Sequence, residues 1–151
     1  MLFSAKMVYL DLAIEDKDAV MHYIAEQATI LGVTTDEIGV YDALMRREAE
    51  YSTAFGGLFA IPHAKTEKIS DARLLFIRLK EPIAWESPDD FEVQAMFVIL
   101  VPEVEASTKH LEILAQVAVL LLDDDFKKAA LELDAKAIVD YIQMKVGGDL
   151  Q

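Results

Sequence analysis

The sequence predicts an α/β protein: one domain over residues 1–151, built on a small mixed β-sheet flanked by helices. Three observations carry that expectation. Helix-period segments with recognisable caps lie at both ends of the chain, two before the centre and three after it. Between them sit short runs rich in β-formers, punctuated by Pro and Gly. Hydrophobic residues make up 54% of the 151, enough for a sizeable core, and no linker-like, repeated or low-complexity stretch divides them.

The elements follow in order. Asp16 caps a helix to about Leu31, with Val20, Ile24, Ala28 and Leu31 near helical spacing and Gly32 as the stop. Thr34 and Glu37 have the spacing of a capping box for a second helix. It carries Ile38, Tyr41, Leu44 and Met45 on one period and ends near Glu50, with Arg46 and Arg47 where the dipole favours cations. Gly39 is the one weak position in it. Phe55-Gly56-Gly57-Leu58 reads as a loop or turn, and Phe59 to Ile61 as a short strand stopped at Pro62. Ala72 to Leu79 is a strand broken by Lys80-Glu81-Pro82-Ile83, and Ser87-Pro88-Asp89-Asp90 is a turn. Val93 to Val101 is a continuous apolar run ended by Pro102, the pattern of a strand buried on both faces. Ser107 caps a helix from Thr108 to Leu122, and Asp123-Asp124-Asp125 is a solvated junction before a short helix at Phe126 to Leu131. Asp134 caps the last helix, Ala135 to Val146, which Gly147-Gly148 ends.

A net charge of −13 argues against a nucleic-acid or anionic-membrane surface, which needs clustered Lys and Arg. It leaves room for a local basic pocket from Arg46, Arg47, Lys65 and Lys68. With no cysteine, disulfides, thiolate nucleophiles and zinc-thiolate sites are excluded, which fits a reducing cytosol. The first residues lack the apolar core of a signal peptide, and Val93 to Pro102 is too short to span a bilayer as a helix, so a cytoplasmic location is expected.

The chemistry concentrates at Phe59-Ala60-Ile61-Pro62-His63-Ala64. A strand that stops at Pro62 presents the next imidazole at its rim, and a neutral imidazole attacks phosphorus or takes a proton. A lone histidine after a proline is most often only a loop residue, so its companions matter. Arg47 offers a permanent planar cation near a helix end, although most such arginines merely compensate the dipole. His110, at the third position of the Ser107-capped helix, lies in a first turn that favours an anion. The three together suit the handling of a phosphoryl group. His22 reads as structural or solvated, and neither a GxxxxGK[ST] loop nor zinc-site spacing is present. Without a nucleotide loop, a phosphorylated protein is a better donor candidate than ATP.

The stretch from Arg47 to Ala64 resembles the active-site signature of the mannitol/fructose-type EIIA domains of the bacterial phosphotransferase system, which include nitrogen-regulatory relatives. The shared pattern is an acidic or amide residue (Glu48), an apolar–Gly pair (Phe55-Gly56), then Ala-x-Pro-His and a small residue. Lys80-Glu81-Pro82-Ile83, Phe97 to Pro102 and the Lys109-His110-Leu111 helix resemble further blocks of the family, and the likeness runs from about Val20 to Val139. It implies the EIIA mannitol/fructose-type sandwich fold. It implies that His63 is the phosphorylated histidine, Arg47 the phosphate-stabilising arginine and His110 the second active-site histidine. The implied relay takes a phosphoryl group from phospho-HPr and passes it to an EIIB protein during sugar uptake. No metal, nucleotide or other cofactor is needed, and the only link to a membrane EIIC runs through EIIB. An alternative with the same chemistry is a regulator whose binding to other proteins follows the phosphorylation of His63. Leu58 and Ala54 stand where many members have Gly, and Phe59 where an aliphatic residue is usual. Phe55, Leu58 and Phe59 are accordingly the expected partner-docking residues on an apolar rim.

Overall fold

The computed structural model describes residues 2–85, 91–105, 108 and 111–146. The turn expected at residues 87–90, the Ser107 cap, His110 and the Gly147-Gly148 stop lie outside these residues.

The described chain runs β1 (Val8–Leu12), α1 (Lys17–Ile30), α2 (Glu37–Glu50), β2 (Ala54–Gly56), β3 (Leu58–Ala60), β4 (His63–Lys65), β5 (Arg73–Trp85), β6 (Phe91–Val101), α3 (Leu111–Leu121), α4 (Asp124–Glu132) and α5 (Ala135–Val146), with 3-10 turns at Ala5–Met7 and Glu103–Glu105. The strands form one mixed sheet in the order β1-β5-β6-β3-β2, and β4 also pairs with β6. Pairing is parallel for β1 with β5 and for β3 and β4 with β6, and antiparallel for β5 with β6 and β2 with β3. From Ala95 to Val101 every residue of β6 is buried. Successive strand side chains point to opposite faces, so both faces of this central strand are covered.

Helices α1 and α2 pack on each other, α1 touches β5 and α2 lies along β4. Helices α3 and α4 pack against β6, and α5 against β1. An aromatic run ties the layers together. Phe76 meets Phe97 at 5.3 Å, Phe97 meets Phe126 at 5.9 Å, and Phe126 meets Tyr141 at 5.4 Å.

Helices α1 and α5 match their expected bounds, each with a helical period and a cap, and α2 ends at Glu50 as expected but starts at Glu37, later than a Thr34 cap would place it. Asp16 accepts from Ala19 N–H and Asp134 from Ala137 N–H. The cap of α2 is different from the one expected. Asp36, not Thr34, accepts from Gly39 N–H at 2.9 Å, while Thr34 Oγ1 accepts from Asp36 N–H. Gly39 has its reason here: a Cβ there would stand 2.6 Å from Asp36 Oδ2. Asp123 caps α4 through Asp125 and Phe126 N–H, so the acidic run is a cap as well as a junction.

The strand expectations change in part. The loop or turn expected at residues 55–58 is the tight turn of the β2–β3 hairpin, with strand reaching Gly56 on one side and starting at Leu58 on the other, and with positive φ at Gly56 (102°), Gly57 (62°) and Leu58 (75°). Three consecutive left-handed residues reverse the chain tightly, and only the two glycines reach that region without strain. Gly57→Ala is therefore expected to lower unfolding free energy by about 1–2 kcal/mol in urea titration; an unchanged midpoint would show that the hairpin absorbs the Cβ. Strand β5 does not end at Leu79 but runs to Trp85. The break expected at Lys80 to Ile83 is instead a register shift against β6 between Arg78 and Ile83, where Pro82 has no ladder bond to make. Strand β1 has no counterpart in the sequence reading, because five residues of weak alternation gain strand character only from pairing with distant β5.

Candidate functional site

The site is organised by a joint in one interrupted strand. Ala60 lies opposite Met96, and His63 opposite Ile99, so β3 and β4 keep the same register along β6. Pro62 has no N–H to give the ladder. Its carbonyl still accepts from Ile99 N–H, while Ile61 N–H turns away to the Thr53 carbonyl at 2.9 Å. His63 is thus not at a strand rim, as the sequence suggested, but is the first residue after the joint, with the strand resuming beyond it.

Helix α2 brings Arg47 to this point. Its Nε–H donates to His63 Nε2 at 2.9 Å, and Nη1 donates to the Tyr51 carbonyl at 3.0 Å. The guanidinium also stands 6.0 Å from the Tyr51 ring centre. On the other side of the imidazole, Nδ1 lies 2.8 Å from the Ile61 carbonyl. One neutral tautomer satisfies both contacts. Arginine only donates and a carbonyl only accepts, so Nδ1 carries the hydrogen and Nε2 the lone pair. The Nε2 lone pair therefore faces the cation.

His63 is 8% exposed, and burial pushes its pKa below the ordinary 6.5. The Ile61 hydrogen bond opposes that shift, the Arg47 charge adds to it, and the Glu48 carboxylate opposes it. The neutral form is favoured in the fold, so as pH falls below 6.5 the unfolded chain binds a proton first. This contribution to stability is present above 6.5 and is lost as pH falls through the folded midpoint. The His63 ring, followed by NMR, is expected to titrate with a midpoint below 6.5; a midpoint above it would contradict the burial argument.

Glu48, one residue beyond Arg47, points the other way and is 7% exposed. Its Oε1 accepts from Thr53 N–H at 3.0 Å and Trp85 Nε1–H at 2.8 Å, and its Oε2 accepts from Thr53 Oγ1 at 2.6 Å. Lys17 Nζ stands 3.9 Å from Oε1. The sequence marked Glu48 as part of a signature but offered no reason for it. Its bond partners come from other elements and from a loop, so helical spacing alone does not reveal them.

An open cleft of about 900 Å³ borders His63, and Arg46, Arg47, Lys65 and Lys68 all line it. Asp36, Asp42, Glu50, Glu67 and Glu103 line it too, so the basic pocket is a mixed one. Lys68 pairs with Asp36 at 3.4 Å. Phe55 is 39% exposed and Leu58 half-buried at the β2–β3 hairpin. Phe59 is not a surface residue: it is fully buried in β3, which lies inside the sheet between β6 and β2. Ile38, exposed on α2, lines the cleft as an apolar side chain. Of the two alternatives left for His22, structural or solvated, the exposed one holds: it is stacked on Tyr41 with a 3.9 Å centroid distance. Among the described residues no group of three or more His, Asp or Glu is placed to hold a metal ion. No described helix is long and apolar enough to cross a membrane.

Known proteins give this arrangement a context. Residues 1–145 match the family described as phosphoenolpyruvate-dependent sugar phosphotransferase system, EIIA 2. The chain is 32% identical over 130 residues to the fructose-specific EIIA component of Haloferax volcanii, covering 86% of this chain and 84% of that protein. It is 38% identical over 129 residues to a nitrogen regulatory protein of Bradyrhizobium diazoefficiens, covering 85% and 82%. Among solved structures it is similar to the nitrogen regulatory protein IIA-Ntr of Neisseria meningitidis, with TM-score 0.82, 26% identity and coverage of 92% and 94%. It shares the fold of the enzyme IIA in the Escherichia coli complex of IIA-Mtl with phosphorylated IIB-Mtl, with TM-score 0.77, 16% identity and coverage of 97% of each chain.

Proposed function

Since the chain belongs to the EIIA 2 family of the phosphoenolpyruvate-dependent sugar phosphotransferase system, we propose that it is a phosphocarrier, accepting a phosphoryl group from phospho-HPr on His63 and passing it to an EIIB protein. The observation that carries this reading is the imidazole itself, held as the Nδ1–H tautomer with its Nε2 lone pair against Arg47.

In the step we propose, the Nε2 lone pair attacks phosphorus and the donor's P–N bond breaks, its electron pair returning to the donor imidazole. Nε2 holds no proton, so none has to leave. The ring gains positive charge, which Nδ1–H shares with the Ile61 carbonyl. Arg47 moves its Nε–H from Nε2 to an oxygen of the arriving group and keeps Nη1 on Tyr51. His110 serves in this reading as the second active-site histidine. Catalysis is positioning and charge stabilisation in a buried site, needing neither a metal nor a nucleotide on the protein. Exposed Ile38 on the cleft lining, with exposed Tyr51 and Phe55 and half-buried Leu58, offers apolar surface that suits a transient partner. The cytoplasm is the location this relay requires.

A second reading is favoured by the nitrogen-regulatory relatives, one of them 38% identical. There His63 phosphorylation, adding charge of about −1.5 to −2, would switch binding to other proteins. One experiment tests both. The protein is incubated with phosphoenolpyruvate, enzyme I and HPr, and followed by intact mass and acid lability, then offered an EIIB acceptor. Acid-labile phosphate that moves rapidly to EIIB supports the carrier; phosphate that stays supports the regulator; no labelling refutes both.

A further inference from the structure

We propose that Glu48 is the positioning residue of this centre, a buried carboxylate that holds both nitrogens of the His63 ring through the segment 51–53. The kinetic consequence rests on the phosphocarrier reading; the structural one does not.

Both arms can be traced bond by bond. Glu48 takes the N–H and the hydroxyl of Thr53, which leaves that residue little freedom. The Thr53 carbonyl accepts from Ile61 N–H, and the Ile61 carbonyl faces His63 Nδ1. That is the first arm, and it selects the tautomer. Two residues before Thr53, the Tyr51 carbonyl accepts from Arg47 Nη1, and Arg47 Nε–H meets His63 Nε2. That is the second arm, and it aims the cation. Trp85 Nε1–H and Lys17 anchor the carboxylate from β5 and from the start of α1. Arg47 and Glu48 are neighbours on α2, so the helix fixes the distance between the cation and the group that orients its receiving carbonyl.

A carboxylate suits this position because one small group accepts from an amide, an indole and a hydroxyl at once. Removing it leaves three donors unsatisfied in a buried place. The 51–53 segment would then relax, and a reacting group displaced by about 1 Å loses on the order of 10²-fold in rate.

The test uses Glu48→Ala, Glu48→Gln and Thr53→Val in the full chain, each first checked for folding by circular dichroism. Glutamine keeps an acceptor for Trp85 and Thr53 N–H and offers its amide to the Thr53 hydroxyl. The readouts are the ¹⁵N shifts of the His63 ring, which report its tautomer, and the single-turnover rate and apparent KM for phospho-HPr. For Glu48→Ala we expect a mixed tautomer and a roughly 10²-fold slower transfer at nearly unchanged KM. Glu48→Gln should restore the Nδ1–H tautomer and most of the rate, with Thr53→Val in between. If Glu48→Ala fails to fold, Thr53→Val carries the tautomer readout. A wild-type tautomer in folded Glu48→Ala or Thr53→Val overturns the proposal, as does a glutamine variant as impaired as alanine. Should wild type itself take no phosphate, the carrier reading fails and the ring shifts alone decide the role of Glu48.

Discussion

His63→Ala is expected to accept no phosphate from phospho-HPr, a complete loss of labelling in a protein that remains folded. No other described imidazole is placed to substitute. His22 lies on the exposed surface of α1, beside Asp18 and Tyr41 and without an arginine of its own. Arg47 would remain, but a guanidinium has no lone pair to offer phosphorus. The ring is buried, so alanine leaves a small void beneath the cleft and costs some stability. The sheet does not depend on it, because β4 is held by backbone bonds to β6. Intact mass after incubation with the donor system, with circular dichroism on the same sample, separates lost chemistry from lost fold. Stoichiometric acid-labile phosphate on the folded variant would move the acceptor elsewhere and remove the basis of the proposed function. His22→Ala serves as the control and should label fully.

Arg47→Ala is expected to slow transfer by roughly 10²–10³-fold, the usual range for removing one charge-stabilising donor from an active site. The expectation comes from geometry. Arg47 reaches His63 Nε2 and the Tyr51 carbonyl with two different nitrogens, so its fork is already braced when a phosphoryl group arrives. Arg47→Lys should recover only part of the loss, since one ammonium does not span both acceptors. The variant also changes the titration of the ring. Arg47 helps hold the His63 pKa down, so its removal moves the midpoint up. A larger fraction of the ring is then protonated at any given acidic pH, and the defect deepens as pH falls below neutral. Single-turnover rates across that range, with the ring followed by NMR, give both effects. A transfer rate equal to wild type at every pH would reduce Arg47 to a charge at the end of α2.

The legible parts of this protein are those whose signals are local. The caps Asp16 and Asp134, the stop at Gly32 and the buried run at Val93 to Val101 appear where the sequence places them, because each depends on neighbours within a few residues. Pro62 has the local signature of a strand end because it removes a ladder donor; in the fold it is a joint, since β6 supplies a second stretch of partners beyond it. Sequence proximity to the histidine suggests a surface place for Phe59, whereas its position in β3, between β6 and β2, buries it. Gly56 and Gly57 mark a loop or turn in the sequence, but the three-residue strands on either side of it show only once they find partners in the sheet.

The amino-acid order alone determined the helices, the central strand and the candidacy of His63 and Arg47, since caps, periods and residue types act over a turn or two of chain. Folding in three dimensions decided the rest: that Arg47 meets Nε2 rather than Nδ1, that Ile61 selects the tautomer, and that Glu48 is spent inward on Thr53 and Trp85. Those contacts join residues as far apart as Glu48 and Trp85, and a hydrogen bond's direction depends on where the sheet puts its two ends, which no spacing along the chain records.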